Sequence, residues 1–252
     1  MRSKTFIEVI EEDDIDEVLR MIRDSESPSR LVNQKINGVF PLLVAAITGN
    51  MAIFRILLGV NGIDVNNTSD GETVLIYASS NGKTEFVRLL LQVPGIDLNV
   101  QEDYGRDTAL IFAIENGHTE IVRLLVSAPG INVNIKDSSD NSALMYAAES
   151  DIVEIVRILL TVPGINVNIQ DNAQNTPLIR AAQFGHRDIV QRLVNFPGID
   201  LTINNADGKT AADVTSDESI RQIIANAIRR RVGGKTIKKR RNGKKTRRYK
   251  RV

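Results

Sequence analysis

The chain has 252 residues, of which 42% are hydrophobic and 4% aromatic, with no Trp and no Cys. The lack of cysteine excludes a disulfide framework and any thiolate metal site, and so few rings require a core of Leu, Ile, Val and Ala. The formal net charge of +1 hides an asymmetry: residues 229–252 carry 14 of the 32 Lys and Arg and none of the 31 acidic residues. Residues 1–228 are left with 18 basic against 31 acidic side chains, an acidic body followed by a basic tail, and that split bears on partners more than the overall charge does.

The N-terminal stretch Met1 to Glu8 has no long apolar segment, and charges crowd in from Glu11 to Glu17. No secretory signal and no run of about 18 apolar residues is expected, so the chain reads as intracellular, cytoplasmic or nuclear, and not secreted. Glycosylation signals at Asn66 and Asn67 then read as coincidental. Residues 4–36 look like a degenerate helical unit, with Asp16 to Ile22 as a helix and Val32-Asn33 closing it.

From there a phrase recurs: Gly62-Ile63-Asp64-Val65-Asn66, Pro94-Gly95-Ile96-Asp97-Leu98-Asn99, Pro129-Gly130-Ile131-Asn132-Val133-Asn134, Pro163-Gly164-Ile165-Asn166-Val167-Asn168 and Pro197-Gly198-Ile199-Asp200-Leu201. Its glycines are 33, 35, 34 and 34 residues apart. Each unit predicts a polar turn, such as Ser69-Asp70-Gly71-Glu72, and then a short first helix around Leu75-Ile76-Tyr77-Ala78, Leu110-Ile111-Phe112-Ala113, Leu144-Met145-Tyr146-Ala147 or Leu178-Ile179-Arg180-Ala181. Gly82, Gly117 and Gly185 stop that helix in the left-handed conformation. A second helix follows, as in Glu85 to Leu91, Glu120 to Val126 and Glu154 to Leu160. Its acid favours the positive end of the helix dipole, its Arg lies three residues on to pair with that acid, and Pro-Gly ends it.

A turn–helix–helix unit of about 33 residues resembles the ankyrin repeat, most closely in Asn175-Thr176-Pro177-Leu178 through Ala181-Ala182-Gln183-Phe184-Gly185-His186 to Ile189-Val190. The resemblance implies an all-α solenoid of stacked helix-turn-helix units with short β-turn or hairpin loops. Its expected divisions are an N-terminal capping repeat at 1–36, five repeats at 37–207, a C-terminal cap at 208–232 and a disordered basic tail at 233–252. The family's His after Thr-Pro-Leu is replaced by Leu43, Ile76, Ile111, Met145 and Ile179, and the bend after the second helix is one residue longer. The apolar skeleton is intact, and single units cannot bury both faces without neighbours.

No nucleophile elbow, phosphate loop or zinc-protease motif occurs. His118 and His186 fill one repeat slot and read as helix-start residues. With no cofactor or metal expected, the chain reads as a non-enzymatic scaffold. Asn66, Asn99, Asn134 and Asn168 read as ties between successive turns through side-chain to backbone hydrogen bonds. The resemblance places a protein partner on the concave face of turn tips and first helices. The tip candidates are Asp70, Glu72, Asp103, Tyr104, Arg106, Asp137, Asp140, Asp171 and Asn172. The helix candidates are Ile47, Thr48, Ser80, Asn81, Glu115, Asn116, Glu149, Ser150, Gln183 and Phe184. Tyr104 and Phe184 are the aromatic anchors, with local packing as their alternative, and the excess of acids suits a partner with a basic patch.

The tail segment with Lys238, Lys239, Arg240, Arg241, Lys244, Lys245, Arg247 and Arg248 admits three roles besides simple solvation. It can act as a nuclear-localisation signal read by an import receptor, as a grip on nucleic-acid phosphates, or as a latch on the acidic body. The expected protein is a monomer off the membrane. It is an adaptor in the first reading and a nucleic-acid-associated protein held by its tail in the second.

Overall fold

The structure, a computed structural model, describes residues 4–231; the 233–252 tail and its basic residues lie outside the described residues. Two compact units divide the chain at Tyr146 and Ala147.

In the first unit, helices α1 (Phe6–Glu11) and α2 (Ile15–Asp24) form a pair, followed by the short α3 (Pro28–Val32). Three further pairs follow: α4 (Pro41–Thr48) with α5 (Met51–Leu58), α6 (Val74–Ser80) with α7 (Thr84–Leu90), and α8 (Ala109–Glu115) with α9 (Thr119–Ser127). Successive first helices pack on one another, α1 on α4, α4 on α6 and α6 on α8, and so do second helices α2 on α5 and α7 on α9. Helix α10 (Ala143–Glu149) comes next in the chain, then α11 (Val153–Leu159), α12 (Pro177–Phe184), α13 (Arg187–Asn195) and α14 (Ala211–Val214). In the second unit α11 packs on α13 and α12 on both α13 and α14; a last helix runs from 218 to 231.

Helices of five to ten residues are not stable alone, so tertiary burial holds them. Ala45, Ala46, Ala78, Ala113, Ala147, Ala148, Ala181 and Ala182 have no exposed surface, and their small side chains let neighbouring first helices approach closely. Second helices contribute Ile53, Val87, Ile121, Val122, Ile155 and Ile189, all fully buried. Thr73, Thr108 and Thr176 cap the first helices, each hydroxyl accepting the N–H of Ile76, Ile111 or Ile179 at 3.1, 3.3 and 3.2 Å, which satisfies a donor the helix leaves free. The helix-surface pairs predicted from the Glu/Arg spacing form at Glu85–Arg88, Glu120–Arg123 and Glu154–Arg157.

The expected asparagine ties are present at Asn66, Asn99 and Asn168. Asn66 Nδ2 donates to the Gly95 carbonyl at 2.8 Å while its Oδ1 accepts the Asp97 N–H at 2.8 Å. Asn99 does the same with Gly130 and Asn132, and Asn168 with Gly198 and Asp200. Asn33 bonds Gly62 and Asp64 in the same way. One side chain thus joins two turns one repeat apart. Asn99→Ala removes both bonds and leaves a carbonyl and an N–H to water, so thermal denaturation should show a loss of about 1–2 kcal/mol; an unchanged melt would mean the ladder is incidental. The histidines take a related role: His118 Nε2 lies 3.1 Å from the Ser80 carbonyl and His186 Nε2 2.8 Å from that of Glu149. Each imidazole N–H donates to the end of the preceding first helix.

Candidate functional site

The turns before α8, α10, α12 and α14 are each built around one buried polar side chain. Asp137 accepts the N–H groups of Ser139 and Asn141 at 2.7 and 2.8 Å and the Tyr146 hydroxyl at 2.6 Å. Asp171 accepts the Asn175 N–H at 2.8 Å, and Asn205 those of Asp207 and Lys209 at 3.1 and 3.0 Å. Glu102 gathers the N–H groups of Tyr104, Gly105 and Asp107. Asp137 and Asp171 are 4% and 5% exposed, which corrects their placement among the partner-facing tips: a carboxylate that closes a tight turn must point inward at the N–H groups it satisfies. The tips themselves are tied together, Ser138 N–H donating to the Gly105 carbonyl at 2.7 Å and Ala206 N–H to that of Ala173 at 2.9 Å.

In the first unit this face carries a cleft of about 370 Å³. Its floor is apolar, made by Leu43, Ile76 and Phe112 from three successive first helices, with Ile47 at its edge. Asp70 and Glu72 give it an acidic rim, and the buried Glu102 carboxylate and the exposed Tyr104 complete its lining. Four of the sequence candidates, Ile47, Asp70, Glu72 and Tyr104, therefore meet in one place. The hairpin β1 (Thr68–Ser69) and β2 (Glu72–Thr73) positions two of them. Its two-residue loop holds both Asp70 and Gly71 at positive φ, 51° and 78°, the Asp-Gly preference of this turn type. A Cβ on Gly71 would lie 2.4 Å from the Asp103 N, so the glycine also lets the next turn come close. Tyr104 is 83% exposed and Ile47 48%; neither ring nor chain is consumed by local packing.

The electrostatics are one-sided. Burial and the charge of Glu102 push the Glu72 carboxyl up. One turn further on, burial, Asp137 and Glu102 push Asp107 up to about 6. Asp107 Oδ1 is buried with no hydrogen-bond partner. Because the folded chain holds this proton where the unfolded chain has released it, stability from Asp107 is fully present below about pH 4 and lost as pH rises through about 6. Asp107→Asn should flatten that decline in denaturant midpoint between pH 4 and 7; an unaltered slope would assign it elsewhere.

The second unit solves the same problem internally. Arg180 sits one repeat after Tyr146 in slot and two after Phe112. Its guanidinium bonds Asp171 through Nε at 2.9 Å and through Nη2, and its Nη1 reaches Glu149 Oε1 at 2.7 Å. Burial raises the Glu149 carboxyl while Arg180 opposes the rise. Gln183 and Phe184 are exposed near this triad, Phe184 stacked on His186 with centroids 6.0 Å apart. Thr48, Asn81, Arg106, Glu115 and Asn116 are exposed, and Ser80, Asp140 and Glu149 half-buried; none of these eight lines the cleft. Sequence reading missed the floor residues and the buried lining acid Glu102. The signal was there: Glu102 occupies the slot of Asp137, Asp171 and Asn205, displaced by the one-residue longer turn before Thr108.

Among the described residues, no three or more His, Cys, Asp or Glu are grouped to hold a metal ion, and no helix is long and apolar enough to cross a membrane. The family model "Ankyrin repeats (3 copies)" matches residues 6–102, 95–171 and 130–205. No curated protein matches. Many solved structures do; one is the crystal structure of the ankyrin repeat domain of Bcl-3, described as a unique member of the IkappaB protein family. It is 25% identical, with a TM-score of 0.79 over 88% of this chain and 98% of that one.

Proposed function

The chain belongs to the ankyrin-repeat family, and from that premise we propose that it is a non-enzymatic adaptor that holds a partner protein against its turn tips and first helices. Ankyrin domains are interaction modules, and the observation that carries the reading here is the first-unit cleft with an apolar floor, an acidic rim and an unpacked tyrosine. A partner with a basic patch fits that chemistry. Tyr104 and Phe184 serve as anchors, since large rings that retain exposure concentrate binding energy. The basic tail adds nuclear targeting or contact with a polyanion.

The experiment is capture from cell lysate with the full chain and with residues 1–232, each with and without nuclease. One protein retained by both and indifferent to nuclease supports the adaptor reading. Tyr104→Ala with Phe184→Ala should weaken its capture about tenfold or more without lowering the melting temperature; unchanged affinity removes both as anchors. A second reading, a nucleic-acid-associated protein, rests on the 14 Lys and Arg of residues 229–252: capture that needs the tail and vanishes with nuclease would establish it.

A further inference from the structure

We propose that the first-unit cleft is a receptor for an arginine side chain presented by the partner polypeptide. The inference rests on the adaptor reading and specifies what its face recognises. Three features of the cleft ask for a long apolar stem ending in a cation. Leu43, Ile76 and Phe112 form a floor that would cover methylene groups. Asp70 and Glu72 stand at the opening and the buried, turn-closing Glu102 carboxylate lines it; none of the three is ion-paired among the described residues, and no Lys or Arg lines the cleft. Ser69, a lining residue 7% exposed, has a buried hydroxyl oxygen with no hydrogen-bond partner.

A guanidinium satisfies this set better than an ammonium. It offers five N–H donors in a planar fork, sheds water more readily, and stacks on aromatic faces such as the exposed Tyr104 ring. The molecule already uses that solution once. In the second unit the Arg180 guanidinium bridges a turn acid, Asp171, and a first-helix acid, Glu149. The corresponding slot in the repeats of the cleft holds Val44, Tyr77 and Phe112, so that slot offers Asp70, Glu72 and Glu102 no cation, and the like charges of Glu72 and Glu102 stand against each other.

The test titrates N-acetyl-arginine amide into ¹⁵N-labelled full-length chain, with N-acetyl-citrulline amide, its uncharged analogue, in parallel. Saturable shifts should appear in residues 39–47, 69–76 and 102–112, with affinity about tenfold greater for the arginine compound. Glu72→Gln and Tyr104→Ala should each reduce that affinity about fivefold while leaving the rest of the spectrum in place. Equal affinity for the two compounds, or shifts scattered over the acidic surface, would overturn the proposal on the unaltered protein alone. Movement of the amide signals of residues 235–251 in Glu72→Gln without any probe would give the cleft to the chain's own tail and equally overturn it. If a partner is still captured through Tyr104 and Phe184 while the arginine compound shows no preference, this inference fails and the adaptor reading stands. If neither occurs, both fail.

Discussion

Arg180→Met should lower the stability of the folded chain by about 3 kcal/mol, the usual scale for removing one partner of a buried ion pair. The arginine is three-quarters buried and the side chain of Asp171 almost wholly so. Methionine keeps much of the stem's packing, so the loss isolates the charge. Asp171 would retain the Asn175 N–H at 2.8 Å and Nδ2 at 3.3 Å, which soften but do not replace a guanidinium. Glu149 would lose the guanidinium that opposes the rise of its carboxyl. The deficit should shrink on acidification as the stranded carboxylates take up protons, because their folded-state pKa values rise once the cation is gone. Arg180→Lys should fall between, as a single ammonium cannot span both acids in a fork. Denaturant titration at pH 7 and pH 4 measures this; a deficit below about 1 kcal/mol at pH 7 would place the triad with ordinary surface ion pairs.

What the sequence disclosed and what it withheld divides along the same residues. The repeat phrase, the alanine core of the first helices, the asparagine ladder and the structural role of both histidines follow from local rules, in that each depends on one residue at one slot and a partner fixed by the period. The candidate site depends on which way a side chain turns at a loop tip, and periodicity does not encode that. Asp70 and Asp137 look alike as turn acids, yet one is exposed at the apex of a hairpin and the other is drawn in by the N–H groups of Ser139 and Asn141. Glu102 was hidden by the longer turn, which moved it off the expected position. The exchange of Phe112, Tyr146 and Arg180 in a single slot was visible as variation, but its meaning required knowing that the slot faces the turn acids.

Removing residues 208–252 should turn the chain into an aggregating species, whereas removing 233–252 should not. Helix α14 packs on α12, and the helix at 218–231 buries Ile220, Ile224 and Ala227. Arg231 fastens its end by donating to the Ile199 carbonyl at 2.6 Å and that of Val194 at 3.0 Å. Stacked repeats need a terminal unit that buries one face and shows water the other, and residues 208–231 are expected to do this for the second unit. Their loss would uncover apolar surface of the α12–α13 pair and the Ile199–Leu201 strip, and each isoleucine taken with them removes about 2 kcal/mol of burial. Size-exclusion chromatography with light scattering should find residues 1–207 in large species and residues 1–232 at the same size as the full chain. Ile224→Asp, a charge at a fully buried position, should reproduce the effect without shortening the chain. A well-behaved, cooperatively melting 1–207 fragment would show that the second unit closes on its own and that the last two helices are an addition to the fold, not its end.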